Sequence, residues 1–107
     1  MMRIGVKILG HKTPQRYAVR RAVLAAWNEL LHEHPGLELD ILELKELLEI
    51  QRYTQVFVYP SLVVNEQLVC VGRFPSKDEV LIWFQQALIL LQAASPPPRT
   101  AASAILE

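Results

Sequence analysis

At 107 residues, about half of them apolar, the chain is long enough for one domain with a working core and too short for two. Eleven basic and eleven acidic residues cancel, which removes the global positive field that nucleic acid or an anionic membrane surface would call for. The single cysteine, Cys70, excludes an intrachain disulfide and a cysteine-based zinc site.

The charges are unevenly placed. Residues 1–21 carry Arg3, Lys7, Lys12, Arg16, Arg20 and Arg21 with no acid, whereas the middle carries Glu29, Glu33, Glu38, Asp40, Glu43, Glu46 and Glu49 against Lys45 alone. The opening residues show no signal-peptide pattern, being interrupted by Arg3, Gly5 and Lys7, and no apolar run approaches the roughly 20 residues of a membrane span. The expectation is a cytoplasmic protein with neither a membrane nor a nucleic-acid partner.

Arg3 to Leu9 alternates, with Ile4, Val6 and Ile8 on one face, and predicts a first strand that ends at Gly10. Thr13-Pro14 reads as a helix start, threonine as N-cap and proline at the first helical position. The helix is expected to run from Pro14 to about His34, with Val19, Val23, Ala26, Trp27, Leu30 and Leu31 as its buried stripe and Pro35-Gly36 as its stop. Leu37 to Leu42 alternates again as a second strand. Glu43 to about Tyr53 is expected to be a shorter helix.

Val58 to Arg73 reads as a hairpin. Two apolar runs, Leu62 to Val64 and Leu68 to Val71, flank the polar pair Asn65-Glu66, and Pro60 sits at the mouth of the first strand where its missing N–H is tolerated. Ser76 with Glu79 three residues on is a capping box, opening a last helix to about Ala93 or Ala94. Val80, Trp83, Phe84, Ala87, Leu88 and Leu91 share one side of it. Ile82 and Ile89 lie near the opposite side, so this helix needs either deep burial or a partner. From Ser95 to Glu107 the chain becomes Pro-rich and is expected to be a disordered tail beyond a domain of residues 1–94. The order βαβαββα, with a right-handed crossover between the first two strands, predicts an α/β fold with a mixed four-stranded sheet and helices on both faces.

That order, with three local matches, resembles the thioredoxin fold, and in particular the small thioredoxin- or glutaredoxin-like proteins of bacteria and archaea. Ile8-Leu9-Gly10 precedes a proline-containing helix start. Tyr59-Pro60-Ser61-Leu62-Val63-Val64-Asn65 looks like the family's T-P-A-L-V-I-N-G. Val71-Gly72-Arg73-Phe74-Pro75-Ser76-Lys77-Asp78-Glu79 is similar to its A-G-R-x-P-S-K-E-E. The likeness covers about Arg3 to Leu91. It implies a cis bond between Tyr59 and Pro60, physically cheap at about 0.5–1 kcal/mol, facing the first helix start.

Where the resemblance would place Cys-Pro-x-Cys, this chain has Thr13-Pro14-Gln15-Arg16. Dithiol exchange needs a thiolate at the helix start and a second thiol one turn on, so dithiol–disulfide oxidoreductase activity is not expected and no catalytic residue is assigned. Tyr59 is bulkier than the residue the family prefers before its proline, and its ring would partly cover the groove.

The candidate sites each carry a plainer alternative. Thr13 is either an N-cap or a hydroxyl that meets a bound thiol or anion. His11, Lys12 and Arg16 could hold an anion at the helix start, or Arg16, Arg20 and Arg21 form a solvated face paired with the acidic middle. Tyr59, Pro60 and Ser61 form the groove. Cys70 behaves as a small apolar residue or as a reactive thiol. His11, His32 and His34 do not converge as a metal set, and no cofactor is called for. Trp27, Trp83 and Phe84 are expected in the core. Ile82 and Ile89 are interface candidates, for a homodimer through the last helix, or contact the tail.

Three functions follow. The first is a redox-inactive thioredoxin-like module that binds an unidentified protein or peptide at the proline groove by strand addition. The second is a glutathione- or anion-binding protein, or a thiol-transfer enzyme, that uses the first helix start through Thr13 or Tyr17. The third is a degenerate subunit paired with an active thioredoxin-like partner.

Overall fold

The computed structural model describes residues 2–55 and 59–94. Val58, at the head of the expected hairpin, and the Pro-rich segment 95–107 lie outside the described residues. The elements are β1 (Arg3–Leu9), α1 (Thr13–Glu33), β2 (Glu38–Leu44), α2 (Leu47–Ile50), β3 (Ser61–Val64), β4 (Gln67–Cys70) and α3 (Lys77–Ala94). They follow in the order that the periodicities predict.

The sheet order is β2-β1-β3-β4. β1 runs parallel to β2, with Arg3 opposite Glu38 and Leu9 opposite Leu44. It runs antiparallel to β3, with Val6 opposite Val64 and Leu9 opposite Ser61. A parallel pair must be joined by a crossover, and α1 supplies it. The mixed four-stranded sheet carrying helices is the α/β arrangement of a thioredoxin fold.

The alternation in β1 sorts the molecule into two unequal layers. Ile4, Val6 and Ile8, with Leu62 and Val64 of β3, face α1 and α3 and bury against Val19, Val23, Ala26, Leu30, Val80, Phe84 and Leu88. Each such aliphatic side chain, taken wholly out of water, contributes about 1.5–3 kcal/mol. Trp27 and Trp83 are half-buried at the margin of this core, whereas Phe84 is fully buried and meets the Trp27 ring edge-on at 6.2 Å. The other face carries a small cluster of Leu9, Leu44, Val63 and Ile50.

The second helix is much shorter than expected. β2 continues through Glu43 and Leu44, and α2 is a four-residue turn whose only buried side chain is Ile50. Leu47 and Leu48 are exposed. Without an apolar face at helical spacing nothing rewards longer helix here, and Leu44 is instead taken up by pairing with Leu9.

Asn65 and Glu66 join β3 to β4 with φ of 47° and 66°, the left-handed pair of a tight hairpin turn. Asparagine tolerates that region, and its Oδ1 accepts the Gly5 N–H at 2.8 Å while its own N–H donates to the Gly5 carbonyl at 2.8 Å. The turn thereby extends the β1–β3 ladder. Glu66 is held by Lys7, whose Nζ donates to Glu66 Oε2 at 2.6 Å and to the Tyr53 hydroxyl at 2.6 Å. The β3–β4 register shifts between Leu62 and Val63: Leu62 opposes Cys70, Val63 opposes Leu68, and Val69 is the extra residue of a bulge. Among the described residues no helix is long and apolar enough to cross a membrane.

Candidate functional site

The start of α1 follows directly from the end of β1 and is fastened to it by Arg16. This side chain folds back from the first turn and is only 9 % exposed. Nη1 donates to the Gly10 carbonyl at 2.8 Å and to the His11 carbonyl at 3.2 Å, and Nη2 donates to Thr13 Oγ1 at 3.1 Å. Nε donates to Glu43 Oε1 at 3.1 Å, and Arg20 reaches the same carboxylate, Nη1 to Oε2, at 3.0 Å. Gly10 leaves room for this: a Cβ there would lie 3.1 Å from Arg16 Cγ, a tight contact.

Two expectations about this end change. The N-cap is Lys12, in extended conformation and with no side-chain cap bond, and the first helical bond runs from the Arg16 N–H to the Lys12 carbonyl. Thr13 is therefore the first helical residue rather than the cap, because its hydroxyl accepts from the Arg16 guanidinium. Of the expected anion-binding residues His11, Lys12 and Arg16, two already have protein partners. Arg16 already holds a carboxylate, and His11 Nδ1 sits 3.2 Å from the Lys45 carbonyl. The sequence signal for this was the basic first 21 residues set against an acidic middle; Glu43 as the common partner could not be picked from it.

Pro60 lies at the same end of the sheet, because Leu9 pairs with Ser61 and Gly10 follows Leu9. Among the described residues no peptide bond is cis, so the Tyr59–Pro60 bond is trans, contrary to expectation. Trans is the intrinsically preferred isomer of an X-Pro bond, and the Pro60 carbonyl accepts the Arg73 N–H at 3.1 Å. Ser61 is 1 % exposed, and its Oγ accepts the Gly72 N–H at 3.1 Å, so it braces the loop rather than facing a ligand. The accessible groups at this end are aromatic. Tyr59 is 52 % exposed and Phe74 48 % exposed, and their rings meet edge-on at 6.3 Å. Phe74 is not singled out by the sequence, since loop apolars carry no periodicity, and Val71, expected at the end of the second hairpin strand, lies exposed just beyond β4.

Cys70 is buried at the end of β4, and its thiol donates to the Arg73 carbonyl at 3.4 Å. Burial pushes the thiol pKa up, opposed in part by Arg73, so the thiolate that exchange chemistry needs is disfavoured. His32 Nδ1 lies 2.7 Å from the Asn28 carbonyl one turn back. A groove of about 550 Å3 runs between β4 and the C-terminal half of α3, walled by Val64, Val69, Trp83, Ala87, Ile89 and Leu90. It lies along the β4 edge and includes neither Thr13 nor Pro60.

The fold defines a class of protein, and the family model agrees. The family model for the thioredoxin domain matches residues 5–85, well over half of the chain. The chain belongs to the thioredoxin-domain family. No curated protein and no solved structure matches it.

Proposed function

We propose that this thioredoxin-family domain carries out no dithiol exchange and acts by binding an extended protein or peptide segment at the Pro60 end of its sheet. The observation that carries the first half is Arg16. The position of the second thiol in the resemblance holds a guanidinium with five hydrogen-bond donors, four contacts to main chain and side chains around the helix start, and no capacity for redox change. The one cysteine is buried and its thiol pKa raised.

The binding half is supported by the Tyr59–Phe74 pair beside Pro60, since exposed aromatics next to a sheet end are what partner side chains pack on. The trans Tyr59–Pro60 bond withdraws the cis geometry that the resemblance implied, and the reading now stands on these rings. A glutathione or anion site at Thr13 is the weaker reading, because Arg16 and Arg20 already share the Glu43 carboxylate.

Two measurements test the proposal. An insulin-reduction assay with dithiothreitol should run no faster than dithiothreitol alone; turnover abolished by Cys70→Ala would overturn redox inactivity. A phage-displayed peptide selection should yield binders whose affinity falls about tenfold or more in Tyr59→Ala and Phe74→Ala. Binders indifferent to both substitutions would place recognition elsewhere and overturn the site.

A further inference from the structure

From the outer face of α3 we infer that the chain forms a two-fold symmetric homodimer in which α3 packs antiparallel against α3 of a second copy, with the axis passing between Gln85 and Gln86.

The face that α3 turns away from the core is uncharged and exposed. Ile82 is 51 % exposed and Ile89 is 63 % exposed, two turns apart and about 10 Å along the axis. Ile82, Gln86, Ile89 and Ala93 follow one another along this stripe, and from Val80 to Ala94 the helix carries no charged residue. The outer face of α1, by contrast, carries Arg20, Arg21, Glu29 and Glu33.

The occupant follows from symmetry and charge. A two-fold contact must be self-complementary, and a charged face meeting its own copy brings like charges together. This face has none to bring together. Ile82 and Ile89 are equidistant from the Gln85–Gln86 midpoint, so an antiparallel pairing centred there sets each Ile82 against the partner copy's Ile89, and the glutamine amides meet each other as donors and acceptors. The same pairing sets Asp78 and Glu79 opposite Gln92 and Ala93 of the other copy, so no two acids meet, although the C-terminal end of that helix's dipole disfavours them. It also opposes the two helix dipoles head to tail. Leu90, 55 % exposed on the flank, extends the apolar surface into the β4–α3 groove.

The test is sedimentation equilibrium of the full chain from about 1 µM to about 1 mM, the range in which so small an interface should associate. The expected result is a monomer–dimer equilibrium. Ile82→Glu alone and Ile89→Lys alone should each give a monomer with unchanged far-ultraviolet circular dichroism, because both side chains point away from the core. Mixing the two variants should restore a heterodimer, since the carboxylate introduced in one copy then meets the ammonium introduced in the other, while the second contact keeps both isoleucines. A parallel pairing offers no such match. A monomer throughout the range, a dimer untouched by both charges, or a mixture that stays monomeric each overturns the inference. So does a monomer in which nuclear Overhauser contacts join the Ile105 or Leu106 methyls to Ile82 or Ile89, for then the chain's own C-terminal segment covers the face. Should a charged variant fail to fold, Ile82→Ala and Ile89→Ala are read instead, each weakening association by about tenfold.

Discussion

At the start of α3, the Glu79 N–H donates to Ser76 Oγ at 3.2 Å, the Ser76 N–H donates to Glu79 Oε1 at 3.1 Å, and Arg73 grips the same carboxylate through two bonds of 2.9 and 2.7 Å. At the start of α1 no side chain caps the backbone, the first turn holds no acid, and the nearest arginine points back into the preceding loop. The first is a helix start that satisfies its own backbone N–H groups. The second draws its order from Glu43 in β2. The α1 start is thus not an ordinary capped terminus.

Arg16→Ala should break this contrast most severely. It strips three hydrogen bonds from Gly10, His11 and Thr13 and leaves Glu43 without its inner partner. Because Glu43 is about one-third exposed, water recovers part of the cost, and a loss of about 2–3 kcal/mol in urea denaturation is expected. A loss below about 0.5 kcal/mol would show that the loop is ordered without it. Ser76→Ala comes next, at about 1 kcal/mol, the ordinary worth of a cap.

A smaller effect, at the exposed α3 start, is read by pH. Hydrogen bonds from Arg73 and from the Ser76 backbone hold the Glu79 carboxyl at about 2, below its usual 4.5. A depressed carboxylate contributes stability above its unfolded-state pKa and loses it as pH falls through the folded value. The difference in thermal midpoint between the wild type and Glu79→Gln should thus be constant above about pH 5 and close as pH falls toward 2. A difference that stays fixed across that window would mean the carboxylate charge is not what matters. Thr13→Ala should be the mildest, within about 0.5 kcal/mol, because Thr13 accepts one bond from Arg16 and caps nothing; a cost equal to that of Ser76→Ala would restore it as the cap.

What the sequence made legible was local. The alternation of Ile4, Val6 and Ile8, the helical stripe from Val19 to Leu30, the Asn65-Glu66 turn and the Ser76–Glu79 box each announce themselves within a few residues. Their order was enough for the fold. The site depends on contacts that are distant in sequence. Arg16 meets Glu43 across 27 positions, and Ser61 meets Gly72 across a hairpin, neither of which any periodicity encodes. The shortness of α2 is hidden because Leu44, Leu47, Leu48 and Ile50 look equally apolar, whereas only Leu44 and Ile50 find a core. The cis bond at Pro60 came from resemblance alone, and the residues around it do not require it.

The bulge at Val69 has a bearing on solution behaviour. β4 is an edge of the sheet, and an edge with regular pleat invites another strand to dock and then another. Inserting Val69 turns two consecutive side chains, Val69 and Cys70, toward α3, and breaks the even spacing of hydrogen-bonding groups that a templated strand would need. The same residue that widens the packing on α3 thereby guards this edge against open-ended aggregation. Growth across β4 into fibres should accordingly demand that the bulge first be ironed out.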